Sequence, residues 1–215
     1  MVDEAGISLL QMMENAGRSL ALQARAQLGG DARGRRVQVL AGRGGNGGGG
    51  LAASRRLGIW AAEVEVVLAF DRDALAEAPA RQLAALEWMG VPVRSSGAVD
   101  AADLIIDAVF GYSLKGAPTG RPAELIEAAN ASGVPILALD LPSGLHPDSG
   151  QPLEPAIRAA ATVTLALPKA GLLNPEARPW VGDLYLADIS VPRAVYRAIG
   201  LEVGSIFASS DLIRI

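Results

Sequence analysis

Apolar residues recur along the chain in two rhythms that take turns. Over residues 7–28, Leu9, Met12, Met13, Ala16, Leu20 and Ala24 follow one another at spacings of three and four, which predicts an amphipathic helix. Gly29-Gly30 closes it. Residues 36–41 predict a short strand that runs into a glycine-rich loop at 42–50, and helical character is expected to resume over 51–57. Further strands are predicted at 63–70, 91–93, 104–110, 136–141, 162–167 and 184–189, and further helices at 74–89 and 122–131. Unbroken apolar runs such as Leu104-Ile105-Ile106 are what a strand covered on both faces requires. Strands alternating with helices predict an α/β fold, a Rossmann-like three-layer sandwich with a mostly parallel central sheet. No repeat, linker or charge run divides the sequence, so residues 1–215 read as a single domain.

Composition agrees with a folded core, since half of the 215 residues are hydrophobic and 20% are charged. A net charge of −4 argues against the basic face of a nucleic-acid binder. There is no cysteine, which removes disulfides and thiolate metal sites and suits a reducing cytoplasmic setting. No run of 18 apolar residues predicts a membrane span. The acidic start, Val2-Asp3-Glu4, does not read as a secretory signal.

Three polar features fall at or just beyond the ends of predicted buried strands. They are the glycine run after 36–41, Asp107 within LIIDAVFG, and Asp140 followed by Pro142-Ser143-Gly144. Open α/β sheets bind ligands outside these strand ends. The glycines would allow positive φ and close backbone approach, and the helix that follows would aim N–H groups at an anion. The bare GxGxxG at 42–47 is weak by itself, and the lysine–hydroxyl pair of a P-loop is missing. Asp107 could hold a cation or tie down a strand end; burial would be costly without a partner. Pro142-Ser143-Gly144 could present the Ser143 hydroxyl or be an ordinary turn. His146, the single histidine, reads as a loop residue, and Lys169 as a solvated lysine that could reach the same edge.

Taken together, MMENAGR (12–18), VLAGRGGNGGGGLAASRRL (39–57), DLIIDAVFGYSLKGAP (103–118), ILALDLPSGLHPDSG (136–150) and LALPKAGL (165–172) resemble the YjeF N-terminal domain family, in its order and spacing. Enzymatic members of that family are NAD(P)H-hydrate epimerases. The resemblance implies a homodimer with a bound potassium ion, acting on hydrated NADH or NADPH. It places Asn46, Asp107 and Ser143 on the cation. The substrate contacts it implies are Gly45, Asn46, Gly47, Gly48 and Gly49, then Gly111, Tyr112, Ser113, Leu114, Lys115, Gly116 and Ala117, and finally Asp140. Bifunctional relatives carry a hydrate dehydratase domain after this one, and residues 209–215 resemble the junction before such a domain. A fused or separate dehydratase is therefore an expected partner.

The implied reaction inverts C6 of the hydrated nicotinamide ring. That carbon is a hemiaminal, so protonating its hydroxyl and expelling water leaves a ring iminium that water can re-enter from either face. Asp140 is expected to shuttle the proton, with its pKa raised by burial, while Asp107 stays ionised against the cation. Members of the family usually read N-N-G-G-D-G where this chain has GNGGGG at 45–50, so an amide and a carboxylate are absent. At about 0.5–1.5 kcal/mol per lost hydrogen bond, that would weaken substrate binding. Two other readings remain: a binding or scaffolding module of the same fold, and an NAD-dependent oxidoreductase with Asp71 on the ribose.

Overall fold

The computed structural model describes residues 1–95, 99 and 101–215. A short helix α1 (Val2–Ala5) precedes α2 (Leu9–Gln27). Ser8 caps α2, accepting from the Gln11 amide while the Gln11 side chain accepts from the Ser8 N–H. Then follow β1 (Arg36–Ala41), α3 (Gly45–Ile59), β2 (Glu63–Leu68), α4 (Glu77–Trp88), β3 (Val93–Arg94), β4 (Leu104–Ala108), α5 (Arg121–Ala131), β5 (Ile136–Leu139) and β6 (Ala161–Leu165). The chain ends with α6 (Arg178–Val181), β7 (Asp183–Ala187), α7 (Arg193–Ala198) and β8 (Leu212–Arg214).

Among the described residues the strands form one eight-stranded sheet in the order β3-β2-β1-β4-β5-β6-β7-β8. All neighbours are parallel except β8, which runs antiparallel to β7. Alternate strand residues feed two cores. Val39, Ala41 and Ile106 pack with Leu20, Leu51 and Leu86 on the side of α2, α3 and α4. Leu40, Ile105 and Ala138 pack with Leu125 and Ile126 of α5 on the other. The expected three-layer α/β sandwich is the observed one. No helix of the described residues is long and apolar enough to cross a membrane.

The glycine run is not the loop expected of it. α3 starts at Gly45, so Gly45–Gly50 are helical, and the positive-φ glycines of the described chain lie elsewhere. Their smallness serves packing instead. A Cβ on Gly47 would stand 1.8 Å from the Gly42 carbonyl oxygen, one on Gly50 2.5 Å from the Ala108 Cβ, and one on Gly48 2.5 Å from the Met13 sulfur. Each helical glycine costs about 1 kcal/mol relative to alanine. The close seating of α3 between α2 and the sheet offsets that cost.

Predicted strands also overrun. Residues 63–70, 104–110, 136–141, 162–167 and 184–189 were expected extended, but each strand ends about two residues earlier. The apolar run continues because those extra residues leave the sheet and wall the site beyond it. Asp140 and Ala166 turn there with φ of 66° and 65°.

Candidate functional site

The strand order reverses between β1 and β4, the switch point at which open α/β sheets bind ligands. The chain leaving β1 enters α3 through Gly42–Gly44, and the chain leaving β4 runs through Val109–Gly111 beside it. The two meet at a hydrogen bond from Asn46 Nδ2 to the Phe110 carbonyl, 2.8 Å.

Asp107 is fully buried at the end of β4. The Ser143 hydroxyl donates to its Oδ1 at 2.6 Å and the Ser143 N–H to its Oδ2 at 2.7 Å, while the Val109 N–H reaches Oδ1 at 3.2 Å. The Phe110 N–H donates to Ser143 Oγ at 2.8 Å. Burial pushes the Asp107 carboxyl up to about 6, with the Ser143 and Val109 bonds opposing it. The residues expected around a cation thus stand together: Ser143 on Asp107, and Asn46 on the same Phe110 turn. Among the described residues no group of three or more His, Cys, Asp or Glu side chains could hold a metal. An ion at this place would be met by one carboxylate with amide, hydroxyl and carbonyl oxygens, a donor set that fits a hard cation of low charge.

Asp140 follows β5 in the left-handed region, a conformation that costs about 1–3 kcal/mol in a residue with a side chain and gathers at functional sites. Its N–H donates to the Val163 carbonyl at 2.7 Å. Its carboxylate accepts from the Tyr112 N–H at 3.3 Å and is ion-paired with Lys169. Lys169 is not solvated, as its side chain is 15% exposed and also donates to Thr164 Oγ1 at 3.2 Å and the Leu165 carbonyl at 3.1 Å. Its strand-end place after β6 is the same signal that marked Asp107 and Asp140. The reading as a free lysine missed it because the partner lies 29 residues away in sequence.

Two cavities flank this centre. One of about 310 Å³ has Leu9, Met12, Met13 and Ala16 of α2 on one side and Leu139, Leu165 and Ile189 on the other, with Asn46 and Asp140 in its wall. Gly111 sits between the last two, where an added Cβ would lie 3.2 Å from Asn46 Oδ1 and 3.3 Å from Asp140 Oδ2. The other cavity, of about 360 Å³, is bordered by Arg43, Phe70, Phe110, Leu114 and Lys115. Gly45, Asn46, Gly111 and Ser113 border both. α3 has no side-chain cap at Gly44, so its first N–H groups, from Gly45 on, lack an acceptor within the helix.

Gly47, Gly48 and Gly49 are buried and border neither cavity. Gly116 and Ala117 lie in the loop past Lys115, outside both. His146 is a loop residue, its Nδ1 accepting from the Asp148 and Ser149 amides. Asp71 is exposed beyond β2 and borders neither cavity. A larger cavity, about 540 Å³, opens at the opposite sheet edge beside Val37, Val64 and Met89. None of the candidate residues reaches it, and Glu65 there accepts from Gln38 and Arg94.

A Rossmann-like sheet thus carries a buried carboxylate, an ion pair and two adjoining cavities at its switch point, the place where open α/β sheets take up ligands. The family model for the YjeF-related protein N-terminus matches residues 9–171, and the chain belongs to that family. It is 47% identical to an NAD(P)H-hydrate epimerase of Dehalogenimonas lykanthroporepellens, over 100% of this chain and 86% of the relative. A protein of the same name from Truepera radiovictrix is 41% identical over 92% of this chain and 87% of its own. The bifunctional NAD(P)H-hydrate repair enzyme Nnr of Moorella thermoacetica is 36% identical over 87% of this chain but only 37% of its own. The crystal structure of yeast ynu0 superposes with a TM-score of 0.78 at 28% identity, covering 98% of this chain and 91% of the yeast one.

Proposed function

We propose that the chain interconverts the R and S forms of hydrated NADH and NADPH at C6 of the nicotinamide ring, an isomerase of nicotinamide nucleotide repair. The observation that carries this reading is the Asp140–Lys169 pair beside an apolar cavity at the switch point of the sheet. Relatives that share most of their length with this chain bear the epimerase name.

In this reading the hydrated ring enters the cavity between α2 and Leu139, whose apolar walls keep bulk water from the iminium. Asp140 and Lys169 carry both halves of the proton traffic. One proton goes to the departing C6 hydroxyl, the C6–O bond breaks, and the nitrogen lone pair forms the iminium. Water then adds to the other face and returns a proton to the pair, so the net change is inversion alone. The expected role of Asp140 as a lone shuttle thereby becomes a shared one. The phosphates lie in the second cavity, near Lys115, Arg43 and the N–H groups opening α3.

Potassium, held by Asn46, Asp107 and Ser143, would supply a fixed positive charge to balance the buried Asp107. Among the described residues that carboxylate has no Lys, Arg or His as a hydrogen-bond partner, which supports the assignment. We also propose pairing into a homodimer, for which exposed apolar side chains such as Val2, Leu9, Ile199 and Leu201 offer surface. An S-specific hydrate dehydratase would be the functional partner.

A second reading, a binding module without turnover, has one observation in its favour. A Cβ on Gly49 would lie 2.7 Å from Leu139 Cδ2, so the carboxylate usual in the family has no room unless Leu139 shifts. One assay separates the two. The R epimer of the hydrated cofactor is mixed with a separate S-specific dehydratase and the return of NADH is followed. Acceleration above the spontaneous rate is expected; tight binding without acceleration would leave only the module.

A further inference from the structure

We infer that the site also epimerises hydrated, reduced nicotinamide mononucleotide, a substrate without the adenosine half. The inference rests on the epimerase reading above and concerns how much of the dinucleotide the protein holds. Every bond made or broken lies in the ring: the C6–O bond breaks with one proton supplied, the N1–C6 double bond forms and is lost again, and water returns the oxygen and the proton. Beyond the ribose on N1, nothing in the dinucleotide takes part.

The cavities divide along the same line. The one beside Asp140 and Lys169 measures about 310 Å³, at the lower end of the roughly 300–1,000 Å³ of pockets that enclose drug-sized ligands. That suits a ring and its ribose better than a whole dinucleotide. At the shared border of Gly45, Asn46, Gly111 and Ser113, the lining changes from apolar to cationic. Arg43 and Lys115 form no ion pair among the described residues, which leaves both for the phosphate of a mononucleotide.

An aromatic face is one surface on which an adenine could stack. Phe70, the aromatic placed for it at the end of β2, is already engaged. The Arg43 guanidinium stands over its ring at 4.9 Å, and Phe110 meets it in a T-shaped contact at 6.0 Å. Tyr112, largely exposed, borders the ring cavity and not the cationic one. Remote binding energy raises a rate only where contacts deliver it, and the adenosine half finds few here.

The test compares hydrated NADH with hydrated reduced nicotinamide mononucleotide, following exchange between the two C6 epimers by proton NMR, with no coupling enzyme. We expect kcat/KM for the mononucleotide to fall less than 30-fold below that for the dinucleotide. A fall of 30-fold or more, with the dinucleotide turned over, would overturn this inference alone. No turnover of the dinucleotide would overturn the epimerase reading and this one with it.

Discussion

Asp140 stands in the wall of the apolar cavity, and Lys169 is ion-paired to it from behind that wall. Asp140→Asn keeps the shape of the side chain but removes a proton acceptor, so kcat is expected to fall by about 100-fold or more, the usual contribution of a positioned acid or base. The NADH-return assay reads it, with circular dichroism showing that the fold is kept. An unchanged rate would remove Asp140 from the chemistry. Gly111→Ala tests the site from the other side. Its methyl group would stand 3.2–3.3 Å from Asn46 and Asp140, close enough to fill the gap without breaking the core. We expect kcat/KM to drop about tenfold or more while the urea midpoint moves little; equal activity would mean that the substrate does not use that gap. Asp107 and Asp140 stood out in the sequence because a carboxylate in an apolar run is costly unless it has a task. Lys169 was placed at the same edge but read as solvated, since the ion pair that buries it is made with a residue 29 positions away.

Among elements, α2 and α3 matter most, because one walls the apolar cavity and the other opens at the cationic one. Gly47→Ala is expected to destabilise strongly, beyond the about 1–3 kcal/mol of ordinary overpacking, because its Cβ would lie 1.8 Å from backbone that cannot rotate away. Urea denaturation measures it; a stable variant would mean that α3 can back away from β1. Glu14 joins the two helices to α4, accepting from Arg55 at 2.5 Å, Arg56 at 3.2 Å and Gln82 at 2.9 Å. Burial pushes its carboxyl up, but the Gln82 amide and the two guanidiniums outweigh that and hold it below the ordinary 4.5. A lowered carboxyl adds stability above its unfolded pKa and loses it as pH falls through the folded one. The gap in urea midpoint between the wild type and Glu14→Gln should therefore be full near pH 7 and close as pH drops below 4.5. A gap that stays constant with pH would mean that Glu14 acts by packing alone. The periodicity of α2 was plain in the sequence, whereas the start of α3 was hidden: Gly45 and Gly47–Gly50 read locally as a loop, and only tight neighbours make these five glycines a helix.

At the level of the whole molecule, a bound cation should stabilise the folded chain by mass action. Replacing potassium with choline at constant ionic strength is expected to lower Tm, and Asp107→Ala should abolish the difference; a Tm indifferent to potassium would discard the ion site. Sedimentation should give twice the chain mass if the proposed dimer forms. The order of elements, the parallel sheet and the strand ends where buried carboxylates gather could all be read along the chain, because hydrophobic period and the cost of an isolated charge are local properties. The resemblance to a family could be read there too, from motifs in order. Where the strands stop, which glycines are helical and that Lys169 meets Asp140 depend on elements far apart in sequence. These features arise from packing, when parallel strands bring separate turns to one edge and leave α3 no room for side chains. The glycines that pointed to a ligand loop are first of all the contact surface of a helix, and the candidate site begins where that helix starts.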